Sequence, residues 1–389
     1  MMQACGIVAE YNPFHRGHQY QLKQARQQSA ADCLIVVMSG NFVQRGEPAI
    51  VDKWQRAQLA LQFGADLVIE LPFASACQPA DLFAQGALQI LSMLQCTTLA
   101  FGTEDVTFDY QKFGQQMLGQ VQHQQFTIDY QKTYATQWND FLTAVIGRRV
   151  TAPNQLLGLS YALANAQLTQ PLKLIPIQRQ GAAHDQTEVA TAATFASASA
   201  IRQLLLDQQP AGAVQPLLPY PQARLQPPYI NVEQLWPFLH FRLNTTWPSE
   251  LADIYQMSEG LEYRFNEQNR ESTSWSDFLQ RVKSKRYTYA RLRRLALYTT
   301  LNITNQDLKQ AQSWGPQLRV LGFNQIGQAY LHQQRPQLPT PLITKVDAKT
   351  GATNGPLGLQ VRVDRFYQQL SGREQNFKRR VIITNKELN

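Results

Sequence analysis

"GIVAEYNPFHRGH", residues 6–18, decides the fold. Its first four residues are apolar without alternation, which reads as a strand buried on both faces, placed over 4–10. A proline and two aromatics follow, then His15-Arg16-Gly17-His18 at the start of a helix expected over 17–29. A buried strand that runs into a helix is the first half of a βα unit, and open parallel sheets take ligands beyond the carboxyl ends of such strands. The two imidazoles stand one helical turn apart. Helix N-termini attract phosphate through free N–H groups and the dipole. Histidines there donate hydrogen bonds to oxygens that gain charge as a phosphoryl group is displaced. Gly17 lets a ligand approach the backbone. Taken alone, HxGH also fits two surface histidines at a helix start.

The residues downstream repeat the pattern. "CLIVVMS" (33–39), "ADLVIELP" (65–72), "TTLAFGTED" (97–105) and "LKLIPIQR" (172–179) read as further strands. Helical stretches separate them at 52–63, with Asp52 at its start, and at 80–95; another follows from about 199. Short apolar strands alternating with helices predict an α/β fold, a Rossmann-like parallel sheet covered on both faces. His15, His18, Gly40, Gly102 and Arg179 all fall just after strand ends and therefore converge.

At 389 residues the chain exceeds one simple core. We expect an α/β domain that carries the phosphate site over 1–207, a Pro-rich linker or extended strap over 208–230, and a mainly helical basic region over 231–389. Helices in that region are expected at 248–257, 275–285, 288–301 and 305–311, with mixed strand and helix over 318–331 and 341–349. The charge is uneven. After residue 230 there are 22 lysines and arginines against 13 acidic residues, an excess that accounts for the whole net charge of +8. Such asymmetry points to a polyanionic partner.

Hydrophobic residues make up 44% and no apolar run reaches the roughly 20 residues of a membrane span. With no signal-peptide pattern, a cytoplasmic protein with no membrane partner is expected. The four cysteines share no CxxC spacing, and the six histidines form no metal-ligand pattern, so no protein-built metal site is expected.

A second element sharpens the phosphate reading. "SASAIR" (197–202) puts Ser197 and Ser199 at a helix start with Arg202 in its first turn, where hydroxyls and a guanidinium suit the β and γ phosphates. Alone, Ser199 also reads as a helix cap. HxGH after the first strand paired with S-x-S-x-I-R after the last resembles the HIGH-type nucleotidyltransferase superfamily. Together with "VMSGNFVQRGEPAIVDKWQRAQLAL" (37–61), "FGTED" (101–105), "APNQLLGLSYALA" (152–164), "IQRQGAAHD" (177–185) and "SKRYTYARLRRLALY" (284–298), the chain resembles the tRNA(Met) cytidine acetate ligase family over most of its length.

That resemblance implies ATP as substrate, with Mg²⁺ arriving on it, acetyl-adenylate as intermediate, and acetyl transfer to the wobble cytidine of elongator tRNA(Met) to give N(4)-acetylcytidine. It implies catalytic roles for His15, His18, Ser199 and Arg202. ATP contacts would run through Ile7, Val8, Ala9, Glu10, Tyr11, Asn12, Pro13, Phe14, His15, Arg16, Gly17, His18, Gln19 and Tyr20, and include Gly102, Asn154 and Arg179. Arg16 stands where the family pattern has a small polar residue and is given no role of its own. Two other functions remain open: a cofactor adenylyltransferase of the nicotinamide mononucleotide or phosphopantetheine type, and a non-catalytic RNA-binding protein on this fold.

Three further features complete the reading. "GNFVQRGEP" (40–48) is either a loop that closes over acetate or cytidine, or a plain surface connection. His184-Asp185 reads as a loop pair rather than a dyad. "RVKSKRYTYARLRRLAL" (281–297) holds seven basic residues and two tyrosines. Its Arg286, Arg293 and Arg294 are expected to share a face for RNA phosphates, with Leu292, Leu295 and Ala296 inward. "FKRRVIITNK" (377–386) is a second such candidate. "VKSKR" (282–286) imitates the KMSKS loop of class I aminoacyl-tRNA synthetases, but lies beyond the linker and is read as a decoy.

Overall fold

The computed structural model describes residues 2–121, 140, 142–143, 145–180 and 196–385. Five parallel strands open the chain: β1 (Ala4–Ala9), β2 (Cys33–Ser39), β3 (Leu67–Leu71), β4 (Thr98–Thr103) and β5 (Lys173–Gln178). Each lies within two residues of its expected bounds. Alternate residues feed opposite faces: Cys33, Ile35 and Val37 enter one core, Leu34, Val36 and Met38 the other. This period of two, apolar on both sides, is what made the strands continuous apolar runs.

Three later strands, β6 (Leu318–Asn324), β7 (Leu342–Ile343) and β8 (Ile382–Thr384), join the first five in the order β5-β4-β1-β2-β3-β6-β7, with β8 also paired to β6. The chain thus moves outward from β1 through β2 and β3, then resumes on the other side of β1 with β4. That reversal makes the β1/β4 border the topological switch point. The strands part there. β1 keeps its ladder with β4 only at Cys5–Thr98 and Gly6–Leu99, whereas it pairs with β2 from Ala4 to Ala9. A crevice therefore opens between the carboxyl ends of β1 and β4.

Residues after 230 do not stay apart from this sheet. β6 runs antiparallel on β3, and β7 and β8 both pair with β6. The segment 377–386 thus supplies a strand. A charge cluster fastens the return. Fully buried Lys53 lies 2.7 Å from Glu70 and 2.5 Å from Asp364, and Arg319 lies 3.0 Å from Glu70. Asp364 sits on the helix Gly358–Ser371, and its other oxygen accepts from Asn41 at the foot of the 40–48 loop, 2.8 Å.

The Pro-rich stretch 208–230 is a strap rather than a free connection. Val214, Leu217, Leu218, Tyr220 and Leu225 are buried in the core that also takes Leu22 and Ala25, and the Tyr220 hydroxyl donates to the Phe14 carbonyl at 2.6 Å. Beyond it, the helices Trp236–Thr245, Leu261–Asn269, Trp275–Val282, Tyr289–Thr300 and Asn305–Ser313 enclose a third core. The helix expected over 248–257 stops at Leu251. There the backbone turns to pair with a neighbouring segment instead, Tyr255 N–H donating to the Ile303 carbonyl at 2.8 Å. No helix among the described residues is long and apolar enough to cross a membrane.

Candidate active site

α1 (Arg16–Ser29) starts at the crevice, and its N-cap is His15. Nδ1 of His15 accepts the Gly17 N–H at 3.0 Å, and Nδ1 of His18 accepts the His15 N–H at 3.2 Å. The rings stack with centroids 3.8 Å apart. Sequence reasoning expected free helix N–H groups to receive phosphate. The imidazoles take two of those donors themselves, and what they offer in return is their other nitrogens. With Nδ1 an acceptor, the proton of each neutral ring sits on Nε2, so both Nε2–H groups are donors. Burial, then the charges of Arg179 and Arg202, push His15 down to about 3; burial, then His15 and Arg179, hold His18 well below its usual range.

These shifts fix a sign. The unfolded chain binds protons at both histidines below about pH 6.5 while the folded chain does not. The stability this confers is complete above that value and lost as pH falls from it toward 3. Thermal midpoints measured from pH 7.5 to 5 should fall more steeply for the wild type than for the His15→Asn/His18→Asn double variant. Equal slopes would mean the rings already carry protons in the fold.

The serine–arginine corner comes to the same place. The helix Ala198–Leu206 is capped by Ser197, whose Oγ accepts the Ala200 N–H at 3.1 Å. Ser199 is thereby left out of the capping role, and its Oγ accepts from Arg202 Nη2 at 3.1 Å. Arg202 Nη1 donates to the Asn12 carbonyl at 2.8 Å, inside the 6–18 stretch. That bond joins the two motifs.

The remaining expected residues divide. Gly102, at the end of β4, has only Arg179 Cγ near its missing Cβ, 3.5 Å away. Arg179 Nη1 donates to Asn154 Oδ1 at 3.2 Å, and the Asn154 amide donates to Glu104 at 2.6 Å. Glu104 also accepts the Gln155 N–H at 2.9 Å, so this carboxylate aligns the whole β4/β5 rim; sequence reasoning had missed it. Ile7 and Ala9 spend their side chains in one core and Val8 packs against the other, which leaves only their backbone for a ligand. Phe14 is buried against Phe63, and Tyr11 is buried beside His18 with no hydrogen-bond partner for its hydroxyl among the described residues. Asn12 Oδ1 accepts the Ile50 N–H at 2.8 Å. Arg16 reaches the strap, donating to the Pro216 carbonyl at 2.6 Å. Tyr20 accepts from Gln180 at 3.2 Å. His184-Asp185 lies outside the described residues.

The 40–48 loop is no surface connection. Gln44 N–H donates to the Glu10 carboxylate at 3.0 Å, a group whose pKa burial raises. Fully buried Arg56 gathers the strand ends beneath it, donating to the carbonyls of Glu10, Ser39 and Gly40. The expected basic face also needs correction. Leu292, Leu295 and Ala296 do turn inward, but Arg294 goes with them: it is 6% exposed and points at the Gln44 carbonyl, 3.4 Å. Arg293 pairs with Glu47 at 2.8 Å and Arg286 with Glu259 at 3.3 Å. Residues 283–288 form a turn between two helices rather than helix. No group of three or more potential metal ligands occurs among the described residues.

Comparison with known proteins agrees with the fold. A family model described as HIGH Nucleotidyl Transferase matches residues 2–380. The tRNA(Met) cytidine acetate ligase of Latilactobacillus sakei subsp. sakei is 51% identical, over 98% of this chain and 97% of its own. The chain belongs to the tRNA(Met) cytidine acetate ligase family. A second member, from Lactobacillus delbrueckii subsp. bulgaricus, is 47% identical over 99% of this chain and 100% of its own. Among solved structures, Thermotoga maritima TmcAL in its apo form superposes with a TM-score of 0.87 at 29% identity, covering 99% of this chain and 100% of that one. The same protein bound with alpha-thio ATP gives 0.83.

Proposed function

We propose that this chain activates acetate with ATP to acetyl-adenylate and transfers the acetyl group to the wobble cytidine of elongator tRNA(Met), forming N(4)-acetylcytidine, AMP and pyrophosphate. The observation that carries the reading is the Arg202–Asn12 bond, which brings both phosphate motifs to one crevice in a chain that spans its named relatives from end to end.

The chemistry explains why two steps are needed. Acetate has no leaving group, and the cytosine amine is a weak nucleophile because its lone pair is delocalised into the ring. Acetate oxygen attacks the α-phosphorus and pyrophosphate departs. The Nε2–H donors of His15 and His18 meet the charge that develops on phosphorus oxygens, and neutral rings serve as fixed donors that need no proton transfer. Arg202 and Ser199 hold the leaving pyrophosphate. Asn154 and Arg179, aligned by Glu104, face the nucleoside, and Gly102 leaves room for it.

The site's donors are imidazoles, guanidiniums and a hydroxyl, and its carboxylates Glu47 and Glu104 are already engaged. That set suits Mg²⁺ carried in on the triphosphate, where it supplies further charge neutralisation. RNA is taken by the turn and helix around 283–291. Tyr289 is 44% exposed, with Lys283 held 5.5 Å over its ring, which sets an aromatic side chain beside a cation at the surface, a pairing suited to an unpaired base.

The test is to incubate protein, radiolabelled acetate, ATP and tRNA, then digest the RNA. Label is expected in cytidine. Unlabelled tRNA with adenylylation of nicotinamide mononucleotide or phosphopantetheine would make it a cofactor adenylyltransferase. Absence of ATP–pyrophosphate exchange with any acid would leave an RNA-binding protein.

A further inference from the structure

Glu47 stands between two arginines of different elements. Its Oε1 lies 2.8 Å from Arg293 Nη1, on the helix Tyr289–Thr300, and its Oε2 lies 3.8 Å from Arg202 Nη2, on the helix Ala198–Leu206. The carboxylate is mounted rigidly. Val43 N–H donates to the Glu47 carbonyl and Gly46 N–H to the Val43 carbonyl, both at 2.9 Å. Gly46 has φ +79°, and a Cβ there would stand 2.6 Å from the Arg294 backbone. The turn therefore rests directly on the basic helix, and only glycine allows it.

The two distances are unequal, and the inequality has a use. A guanidinium meant for a triphosphate needs orienting, yet a close carboxylate would occupy its fork and repel the phosphates. Arg202 is oriented by uncharged acceptors, the Asn12 carbonyl and Ser199 Oγ, and sees the Glu47 charge only at arm's length. What keeps Glu47 there is Arg293.

We infer that Glu47 and Arg293 form a positioning pair: Arg293 holds the Glu47 carboxylate back so that the Arg202 guanidinium stays open to the triphosphate. This rests on the reading of Arg202 as a phosphate ligand. Without Arg293, Glu47 closes on Arg202 and competes with ATP.

The test is acetate-dependent ATP–pyrophosphate exchange on the full chain, without tRNA, so that any RNA contact of Arg293 is silent. Arg293→Ala is expected to raise KM for ATP about fivefold, the worth of one partly exposed ion pair, with kcat little changed. Arg293→Lys should restore it. In a Glu47→Gln background the same Arg293→Ala change should raise KM less than about twofold, a coupling that independent sites do not show. An equal rise with and without the Glu47 carboxylate, or none in either, overturns the inference. Arg202→Ala separates the two layers. If it leaves the KM for ATP unchanged, the phosphate reading falls and takes the pair with it; if it raises KM while the Glu47–Arg293 cycle is additive, the pair alone falls.

Discussion

His18→Ala is expected to lower acetate-dependent ATP–pyrophosphate exchange by about 10²- to 10³-fold, the scale of losing one oriented donor to a developing oxyanion. Affinity for tRNA should stay within about threefold, because the ring's partners are His15, Tyr11 and Phe14 and it shares none with Lys283 or Tyr289. The ring does two things, and they can be separated. Its Nδ1 receives the His15 N–H, and on the proposed reading its Nε2–H meets the phosphate. Asparagine sets a carbonyl oxygen near the Nδ1 position and has nothing at Nε2, whereas glutamine reaches the Nε2 position. His18→Asn should therefore keep the thermal midpoint and lose exchange, while His18→Gln recovers part of the exchange. The opposite order would mean that His18 acts by holding His15 and makes no contact of its own. Parallel loss of exchange and of tRNA affinity would contradict separate sites for ATP and RNA.

The five strands of the first two hundred residues were legible because a central parallel strand is apolar on both faces. That the site lies beyond the strands' carboxyl ends was legible too, whereas the β1/β4 crevice follows from a strand order that only the structure gives. What escaped was every group whose role depends on a partner distant in the chain. Histidine is a rare N-cap, so His15 read as a ligand with free helix N–H groups beside it, when the ring itself takes one of them. Ser197 and Ser199 are equivalent in sequence, and only the observed helix start makes the first the cap and the second the partner of Arg202. Arg294, Lys53, Arg56, Glu70 and Asp364 look like surface charges, as isolated charges usually are. They are buried because each meets opposite charge or carbonyl oxygens from elsewhere in the fold. β6 was legible as a strand segment, but its partner was not, since pairing register with β3 is set by residues some 250 positions away.

Those buried charges define the largest expected stability effect. Asp364→Asn leaves Lys53 and Arg319 facing Glu70 alone, two cations against one anion at sites 0% to 5% exposed. Breaking such a buried cluster costs about 3–5 kcal/mol, because the surviving charge has neither water nor partner. Urea unfolding should show that loss as a lower midpoint with an unchanged slope. Replacing a whole pair, Lys53→Met with Asp364→Leu, leaves Arg319 with Glu70 and should recover most of it. A loss below about 1 kcal/mol for Asp364→Asn would place that carboxylate in water instead. The same cluster bears on activity. Asp364 holds Asn41, Asn41 Oδ1 accepts the Lys53 N–H at 2.9 Å, and the 40–48 loop that carries Glu47 begins there. A fragment ending at residue 230 would keep every phosphate-site residue yet lose Arg319, Asp364 and the strand that covers the Leu67–Leu71 edge. Its β3 would be an uncovered apolar edge beside a lysine–glutamate pair stripped of its Arg319 and Asp364 partners, so it should aggregate when expressed alone. The chain after 230 therefore does more than the RNA role proposed for it: it completes the sheet that carries the HxGH motif.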